Sequence, residues 1–298
     1  MIPLLEGLSR QGPSFRGLLY QGFKRPVITS SRKIVISTRQ IPLEDDLHVE
    51  IQKVTHPLTQ WCIRNNMVTI SSENDIVYID PAWDVSQSIK NYKNQTPTII
   101  LTHSHGDHYN NAFKLATKLT NCKIYLPKQD FSLCTSLERK LMSPFPKTPF
   151  PLGHHYQIES HHLGGHTPGS VGLSIKDKRT GSVLSILTGD TLFRRSCGIT
   201  PSTTDDHIMR QNILGVFNTL SPDQNPSIFP GHGGITTREE VERLNPIFSK
   251  SSDEWHQSRE KKFPPYRRRL SFVFQRALNV MFRERVWLIR YWFSKILL

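Results

Sequence analysis

The stretch TIILTHSHGDH, residues 98–108, constrains the fold of this chain more than any other. Its first five residues are β-branched or apolar, which predicts a buried strand. Four potential metal ligands follow directly: His103, His105, Asp107 and His108. Because alternate residues of an extended backbone point to the same side, His103 and His105 can converge on one ion, and the next two ligands face a second position. The sequence therefore predicts a metal site at the end of this strand.

Three further candidate ligands occur later, each at a strand end or a tight turn. They are His166 in HHLGGHTPGS, Asp190 in SILTGDTLF and His232 in SIFPGHGG. Taken singly, they have ordinary interpretations as a turn histidine, a helix-capping aspartate and an exposed histidine. Together with the first four they amount to seven side chains. That is the number which two neighbouring ions sharing one carboxylate would need.

Strand and helix patterns alternate along the chain, which predicts an α/β or mixed α+β fold. The predicted strands are residues 48–54, 60–64, 66–72, 75–80, 98–102 and 123–127. The predicted helices are residues 84–92, 110–119 and 128–142. Chains of this length bury a large core, so one large domain or two small ones are expected.

The net charge of +13 is unevenly distributed. Residues 1–40 carry a charge of +6, residues 249–298 carry +8, and residues 41–248 carry −1. We therefore interpret 41–248 as the folded body of the protein, which lies between two basic appendages. A nearly neutral body argues against a nucleic-acid partner, whose groove would concentrate positive charge.

The leader, residues 1–40, is basic, contains several serines and has Glu6 as its only acid. This composition is typical of a mitochondrial transit peptide, although a disordered basic leader has the same composition. Four cysteines, Cys62, Cys122, Cys134 and Cys197, show no CxxC spacing. They indicate reduced thiols in an intracellular compartment, either the mitochondrion or the cytoplasm.

The C-terminal region, residues 249–298, predicts a basic amphipathic helical tail. Four arginines recur every seven residues, at Arg269, Arg276, Arg283 and Arg290, and aromatic residues lie around them. Its uncharged runs are too short to span a bilayer. A helix over 267–298 could lie on an anionic membrane surface, or pack against the body or a partner subunit. The oligomeric state stays open.

The motifs THSHGDH, GHTPGS, TGDTLF and PGHG, in this order, resemble those of the metallo-β-lactamase-fold hydrolases. Asp80, before Pro81 at a predicted strand end, resembles the first motif of that superfamily. The resemblance implies a four-layered αββα sandwich over 41–248, with a C-terminal helical extension. It also implies that loops at one edge of the sandwich hold the metals.

Within the superfamily, TGDTLFRRSCG (188–198) and PGHGGITTREEVERLNP (230–246) are similar to stretches of the glyoxalase II-like group, the hydroxyacylglutathione hydrolases. This resemblance implies two divalent ions, zinc or else iron or manganese. The first would be bound by His103, His105 and His166. The second would be bound by Asp107, His108 and His232, and Asp190 would bridge the two.

The implied activity is hydrolysis of S-2-hydroxyacylglutathione or a similar small acyl thioester by a metal-bridging hydroxide. Asp107 and Asp190 would be the catalytic residues that orient this hydroxide and shuttle its proton. Two alternatives share the motif set: a mononuclear-iron persulfide dioxygenase and a metallo-nuclease. The last motif reads PGHG rather than the PAHD-like text of the dioxygenases, which favours the hydrolase.

Overall fold

The computed structural model describes residues 35–44, 47–54, 64–82, 96–119, 121–271 and 273. The strands of these residues form two six-stranded mixed sheets. The first sheet contains, in spatial order, β1 (Val35–Glu44), β2 (Leu47–Val54), β3 (Asn65–Ser71), β4 (Asp75–Ile79), β5 (Thr96–Ile100) and β6 (Lys123–Tyr125). The second contains β7 (Phe150–Leu152), β8 (Tyr156–His162), β9 (Val171–Asp177), β10 (Val183–Gly189), β11 (Ser227–Pro230) and β12 (Thr236–Thr237). Strand pairs β4–β5, β5–β6 and β10–β11 are parallel, and the other neighbouring pairs are antiparallel.

Helices cover the outer faces of both sheets. They are α1 (Gly106–Tyr109), α2 (Ala112–Ala116), a 3-10 helix (Lys128–Leu133), α3 (Ser136–Leu141), α4 (Thr203–Asn218), α5 (Arg238–Leu244), α6 (Pro246–Ser249) and α7 (Ser252–Lys262). Residues 265–271 are also helical. Capping boxes begin α3 and α7, where a serine or threonine and the glutamate three residues later satisfy each other's backbone N–H groups.

Three hydrophobic clusters separate the layers. One lies between the two sheets, a second between the first sheet and α1 and α2, and a third between the second sheet and α4 to α7. Strand β4 shows why the layers form. Ile76 and Tyr78 pack toward the helices, whereas Val77 and Ile79 pack toward the other sheet. Because both faces of such a strand are buried, its sequence is almost continuously apolar. The observed architecture is the expected αββα sandwich.

Two predicted helices differ from those observed. The helix predicted over 110–119 instead begins at Gly106 and is interrupted between Tyr109 and Ala112. The helix predicted over 128–142 is divided into the 3-10 helix and α3, because Cys134 and Thr135 are extended and Thr135 caps the second segment. The predicted strand residues 60–63 and the predicted helix 84–92 lie outside the described residues.

The two expected domain boundaries fall inside secondary structure. Strand β1 runs across residues 40 and 41 and pairs with β2, so part of the expected leader belongs to the first sheet. The boundary between 248 and 249 falls within α6, and α7 buries Trp255 in the third cluster. The described part of the expected tail therefore packs against the body.

Most of the two basic appendages lies outside the described residues. This holds for residues 1–34, which are most of the expected transit peptide, and for residues 272 and 274–298, which include three of the four periodic arginines. In the remaining chain, no helix combines the length and the hydropathy needed to cross a membrane.

The described cysteines behave as reduced, partly or fully buried residues. Cys122, Cys134 and Cys197 are free thiols, and Cys62 lies outside the described residues. Burial raises the pKa of Cys197 to about 12, so this thiol is uncharged and unreactive at neutral pH.

Candidate metal centre

The predicted ligands lie in loops at one edge of the sandwich, where several strands end. β5 leads into the loop of His103 and His105, and β8 leads into the turn of His166. The parallel strands β10 and β11 end side by side, where the N–H of Gly231 donates to the carbonyl of Gly189 at 2.7 Å. Asp190 and His232 follow these two strand ends and are therefore brought together across the sheet.

The first group contains His103, His105 and His166. Nδ1 of His105 lies 3.1 Å from Nε2 of His103 and 2.9 Å from Nε2 of His166. Burial is the main cause that lowers the pKa of His105 to about 3 and the pKa of His103 well below its ordinary value. Three neutral imidazoles therefore face one point, where their lone pairs can bind a cation.

The second group contains Asp107, His108 and His232. Oδ2 of Asp107 lies 3.5 Å from Nε2 of His232 and 3.9 Å from Nε2 of His108. The His232 side chain is 26% exposed, whereas those of Asp107 and His108 are 3% and 0% exposed. Solvent therefore reaches this group from the side of His232.

Asp190 lies between the two groups. Its Oδ2 is 3.6 Å from Nε2 of His166, a ligand of the first group, and 3.2 Å from Nε2 of His232, a ligand of the second. Its Oδ1 is 3.3 Å from Nε2 of His108. One carboxylate thus faces both groups, as a bridging ligand must.

The chemistry of the donor set fits two divalent cations. Within the described structure, Oδ1 of Asp107 is buried without a hydrogen-bond partner. An unpaired buried carboxylate oxygen is unfavourable unless a cation or a donor neutralises it. The mixture of imidazole nitrogen and carboxylate oxygen is one that zinc, iron and manganese accept.

Three histidines of the centre have a hydrogen-bond partner at Nδ1, so they direct Nε2 toward the metal positions. Nδ1 of His108 lies 2.9 Å from Oδ2 of Asp80, Nδ1 of His166 lies 2.7 Å from the carbonyl of Ile199, and Nδ1 of His232 lies 2.8 Å from the carbonyl of Arg64. Such contacts fix the tautomer and the orientation of a metal-binding histidine. Asp80, the residue of the first motif, is thus an orienting group.

Asp80 is also held rigidly. Its two oxygens accept hydrogen bonds from the backbone N–H of Thr102 at 2.8 Å and from the Thr102 hydroxyl at 2.6 Å. The same hydroxyl lies 3.0 Å from Nδ1 of His103. Asp80 adopts a φ of 50°, in the left-handed region, which aspartate tolerates better than most residues. The buried carboxylate of Asp80 therefore helps to orient one ligand in each group, His108 directly and His103 through Thr102.

Glycine is required beside Asp190. A Cβ at Gly231 would lie 2.4 Å from Oδ1 of Asp190, and a Cβ at Gly198 would lie 2.3 Å from the Asp190 carbonyl. Both distances are far below van der Waals contact, so side chains at these positions would displace the carboxylate or its loop. This explains the glycine that precedes His232.

Two supporting residues were not identified from the sequence. Asp130 is fully buried and accepts hydrogen bonds from the N–H of Ser104 at 2.9 Å, the N–H of Gly169 at 2.6 Å and the Thr167 hydroxyl at 2.8 Å. It therefore joins the His103 loop to the His166 loop. Asn66 donates to the carbonyls of Pro230 and Gly233, at 2.8 and 3.1 Å, and braces the His232 loop. Neither residue belongs to a ligand motif, so local pattern contained no signal for them.

The two groups should respond differently to pH. Burial lowers the pKa of His232, but Asp190 and Asp107 outweigh it and raise the pKa to about 10. The pKa of His108 is likewise raised well above its usual value, because three carboxylates outweigh its burial. In the metal-free protein, a second ion must therefore displace protons at neutral pH, whereas an ion at the first group does not.

We expect the affinity of the second ion to rise about tenfold per pH unit for each proton released between pH 6 and 8. The affinity of the first ion should change little over this range. Calorimetric titration of the metal-free protein, in buffers of different ionisation enthalpy, measures both the affinity and the protons released. Two ions with the same pH dependence would contradict the difference between the groups.

Comparison with known proteins identifies relatives of the same fold. Residues 65–237 match the family model described as the metallo-beta-lactamase superfamily. The probable polyketide biosynthesis zinc-dependent hydrolase PksB of Bacillus subtilis is 26% identical over 161 residues, which are 52% of this chain and 66% of that protein. The chain thus matches slightly less than two thirds of the length of PksB.

Two further similarities extend over more of the chain. The probable metallo-hydrolase MJ0888 of Methanocaldococcus jannaschii is 27% identical over 195 residues, which are 58% of this chain and 89% of that protein. A crystal structure of a metallo-beta-lactamase from Staphylococcus aureus superposes with a TM-score of 0.55 at 22% identity, covering 66% of this chain and 63% of that one. The structural similarity establishes the fold, and the family model spans more than half of the sequence. The chain belongs to the metallo-beta-lactamase superfamily.

Proposed function

We propose that the protein is a two-zinc hydrolase of small acyl thioesters, with S-2-hydroxyacylglutathione as the representative substrate. The two-metal part of this proposal rests on the position of Asp190. Its carboxylate oxygens lie within 3.6 Å of ligand atoms from both groups. Zinc is supported by the name of the relative PksB, a probable zinc-dependent hydrolase. The second group, Asp107, His108 and His232, is present in full, which favours a two-ion hydrolase over a dioxygenase that binds a single iron.

The thioester part rests on the two segments that resemble the glyoxalase II-like group. These segments contact each other closely. Asn245, in the second segment, donates to the carbonyls of Phe193 and Ser196 in the first, both at 2.8 Å. The Phe193 ring lies 6.0 Å from the ring of His232, beside the solvent-exposed side of the centre. An aromatic wall at this position can receive the apolar part of an acyl thioester.

Arg194 does not support recognition of an anionic substrate. It follows Phe193 in the loop, but its guanidinium is hydrogen-bonded to Glu240. Its charge is therefore already paired on the protein. The other basic side chain of this segment, Arg195, is exposed.

The chemistry requires little of the protein beyond positioning. Bound divalent ions supply Lewis acidity, which acidifies water and polarises a carbonyl oxygen. Asp107 and Asp190 would orient the attacking water, and one of the two carboxylates would take its proton. Oδ1 of Asp107 is buried without a hydrogen-bond partner among the described residues. Asp80 keeps the Nε2 of His108 directed at the centre. The departing thiolate is a weak base, so no strong general acid is needed to protonate it.

Hydrolysis of S-D-lactoylglutathione by the full chain tests this proposal. We expect turnover that a chelator abolishes and zinc restores. His103→Ala should lower kcat/KM by at least about 10²-fold, because a metal ligand is lost. His154→Ala, which replaces an exposed histidine in the turn between β7 and β8, should leave kcat/KM unchanged.

Two results would contradict the proposal. The first is the absence of turnover, with this substrate and with other small acyl thioesters, in protein that holds two metal equivalents. The second is oxygen consumption with glutathione persulfide by protein that holds one iron, which would support the dioxygenase alternative.

A further inference from the structure

Asn65 is fixed beside the second group by the backbone. It is the first residue of β3, and it pairs with His232 in an isolated antiparallel bridge. The N–H of the next residue, Asn66, donates to the carbonyl of Gly231 at 2.8 Å. Asn65 is fully buried. The backbone of Asn65 therefore cannot move away from the centre without breaking the contact between β3 and the His232 loop.

The amide of Asn65 approaches two predicted ligand atoms of the second ion. Its Nδ2 lies 3.3 Å from Oδ2 of Asp107 and 3.3 Å from Nε2 of His108. Nδ1 of His108 is engaged by Asp80, so Nε2 is the nitrogen that faces the centre. Oδ1 of Asn65 is buried and has no hydrogen-bond partner among the described residues.

These distances are those of neighbouring ligands on one ion. Donor atoms that lie 2.0–2.2 Å from one ion with four to six ligands are about 2.8–3.6 Å from one another. Nδ2 of Asn65 therefore lies at a distance from Asp107 and His108 at which a further ligand of the same ion would lie. In the metal-free centre its N–H group donates to Oδ2 of Asp107, which is one of the atoms that a cation would bind.

A cation at the second group changes which amide atom is favourable there. Once Asp107 and His108 bind the ion, the Asn65 N–H group loses its acceptor, Oδ2 of Asp107, and faces positive charge. A half-turn of the amide exchanges Nδ2 and Oδ1 without moving any other atom appreciably. It also gives the unpartnered oxygen a partner, because amide oxygen is an accepted ligand for divalent ions.

We propose that Asn65 is a further ligand of the second metal ion, which it binds through Oδ1 after this half-turn. The proposal rests on the two-ion part of the proposed function and is independent of the substrate. It adds an oxygen donor to a group that otherwise offers two imidazoles and the carboxylates of Asp107 and Asp190.

Titration of the metal-free full-length protein with Co²⁺ tests this assignment. The visible absorption of Co²⁺ reports the ligand environment, and elemental analysis reports the number of ions bound. Asn65→Ala and Asn65→Leu should weaken binding of the second ion by about 10- to 100-fold and leave the first unchanged. Asn65→Asp, which restores an oxygen at the same position, should retain two ions. Asn218→Ala, on the exposed face of α4, is the matched control and should behave as the wild type.

Two outcomes would overturn the assignment. In the first, Asn65→Ala or Asn65→Leu binds the second ion as tightly as the wild type, with the same spectrum. In the second, all three Asn65 variants lose both ions equally, which indicates a structural role. A wild-type protein that binds only one ion would contradict the two-ion basis itself. Two ions without thioester hydrolysis would contradict only the proposed substrate.

Discussion

Replacement of Asp190 by alanine should remove at least one metal equivalent and lower kcat/KM by about 10²- to 10³-fold. Asp190 is the carboxylate that faces ligand atoms of both groups, at 3.2 to 3.6 Å. Without it, the imidazoles of His108, His166 and His232 would surround the centre without the negative charge that they share. Elemental analysis and steady-state kinetics of the same preparation measure the two effects together.

Asp223→Ala is the matched control for this experiment. Asp223 is exposed in the turn between α4 and β11, away from the predicted ligands in the chain. We expect wild-type metal content and kinetics from this variant. If Asp190→Ala also kept wild-type turnover and two ions, the bridging role would be wrong.

Asp206→Ala should destabilise the protein by about 3–5 kcal/mol, as expected when one partner of a buried ion pair is removed. Asp206 is fully buried. It accepts hydrogen bonds from Nε of Arg259 at 2.9 Å and from Nη2 of Arg268 at 2.6 Å. Both arginines are themselves almost fully buried, so the substitution leaves two cations in the interior without their shared counter-charge.

The same arginines hold the loop that orients His166. Arg259 donates to the carbonyl of Gly198 at 2.7 Å, and Arg268 donates to the Thr200 hydroxyl at 2.6 Å. Between them, the carbonyl of Ile199 contacts Nδ1 of His166. Loss of Asp206 should therefore also weaken binding of the first ion, in addition to lowering the free energy of unfolding.

Urea denaturation of the metal-free protein measures the stability change, and zinc titration measures the change at the first group. Asp253→Ala, an exposed aspartate in the first turn of α7, is the control and should change stability by no more than roughly 0.5 kcal/mol. A loss below about 1 kcal/mol for Asp206→Ala would show that the two arginines do not depend on this carboxylate.

The amino-acid sequence alone determined the alternation of strands and helices and the order of the seven candidate ligands. Both follow from local pattern. Apolar runs such as SILTG and SIFP predict strands, and the polar residue after each run lies at a strand end. Glycines beside Asp190 and His232 indicate the tight turns in which those side chains reach the centre. Such signals require only a few neighbouring residues, so they are readable without the tertiary structure.

The tertiary structure decided which residues support those ligands. Asp130 joins two ligand loops, Asn65 lies against Asp107 across 42 positions of the chain, and Arg268 reaches Asp206 across 62 positions. A lone buried aspartate or asparagine has no periodic signature, and the arginines of the C-terminal region resemble solvent-exposed charges in sequence. Their roles arise because folding brings distant segments together and excludes water, which makes every buried charge depend on a specific partner.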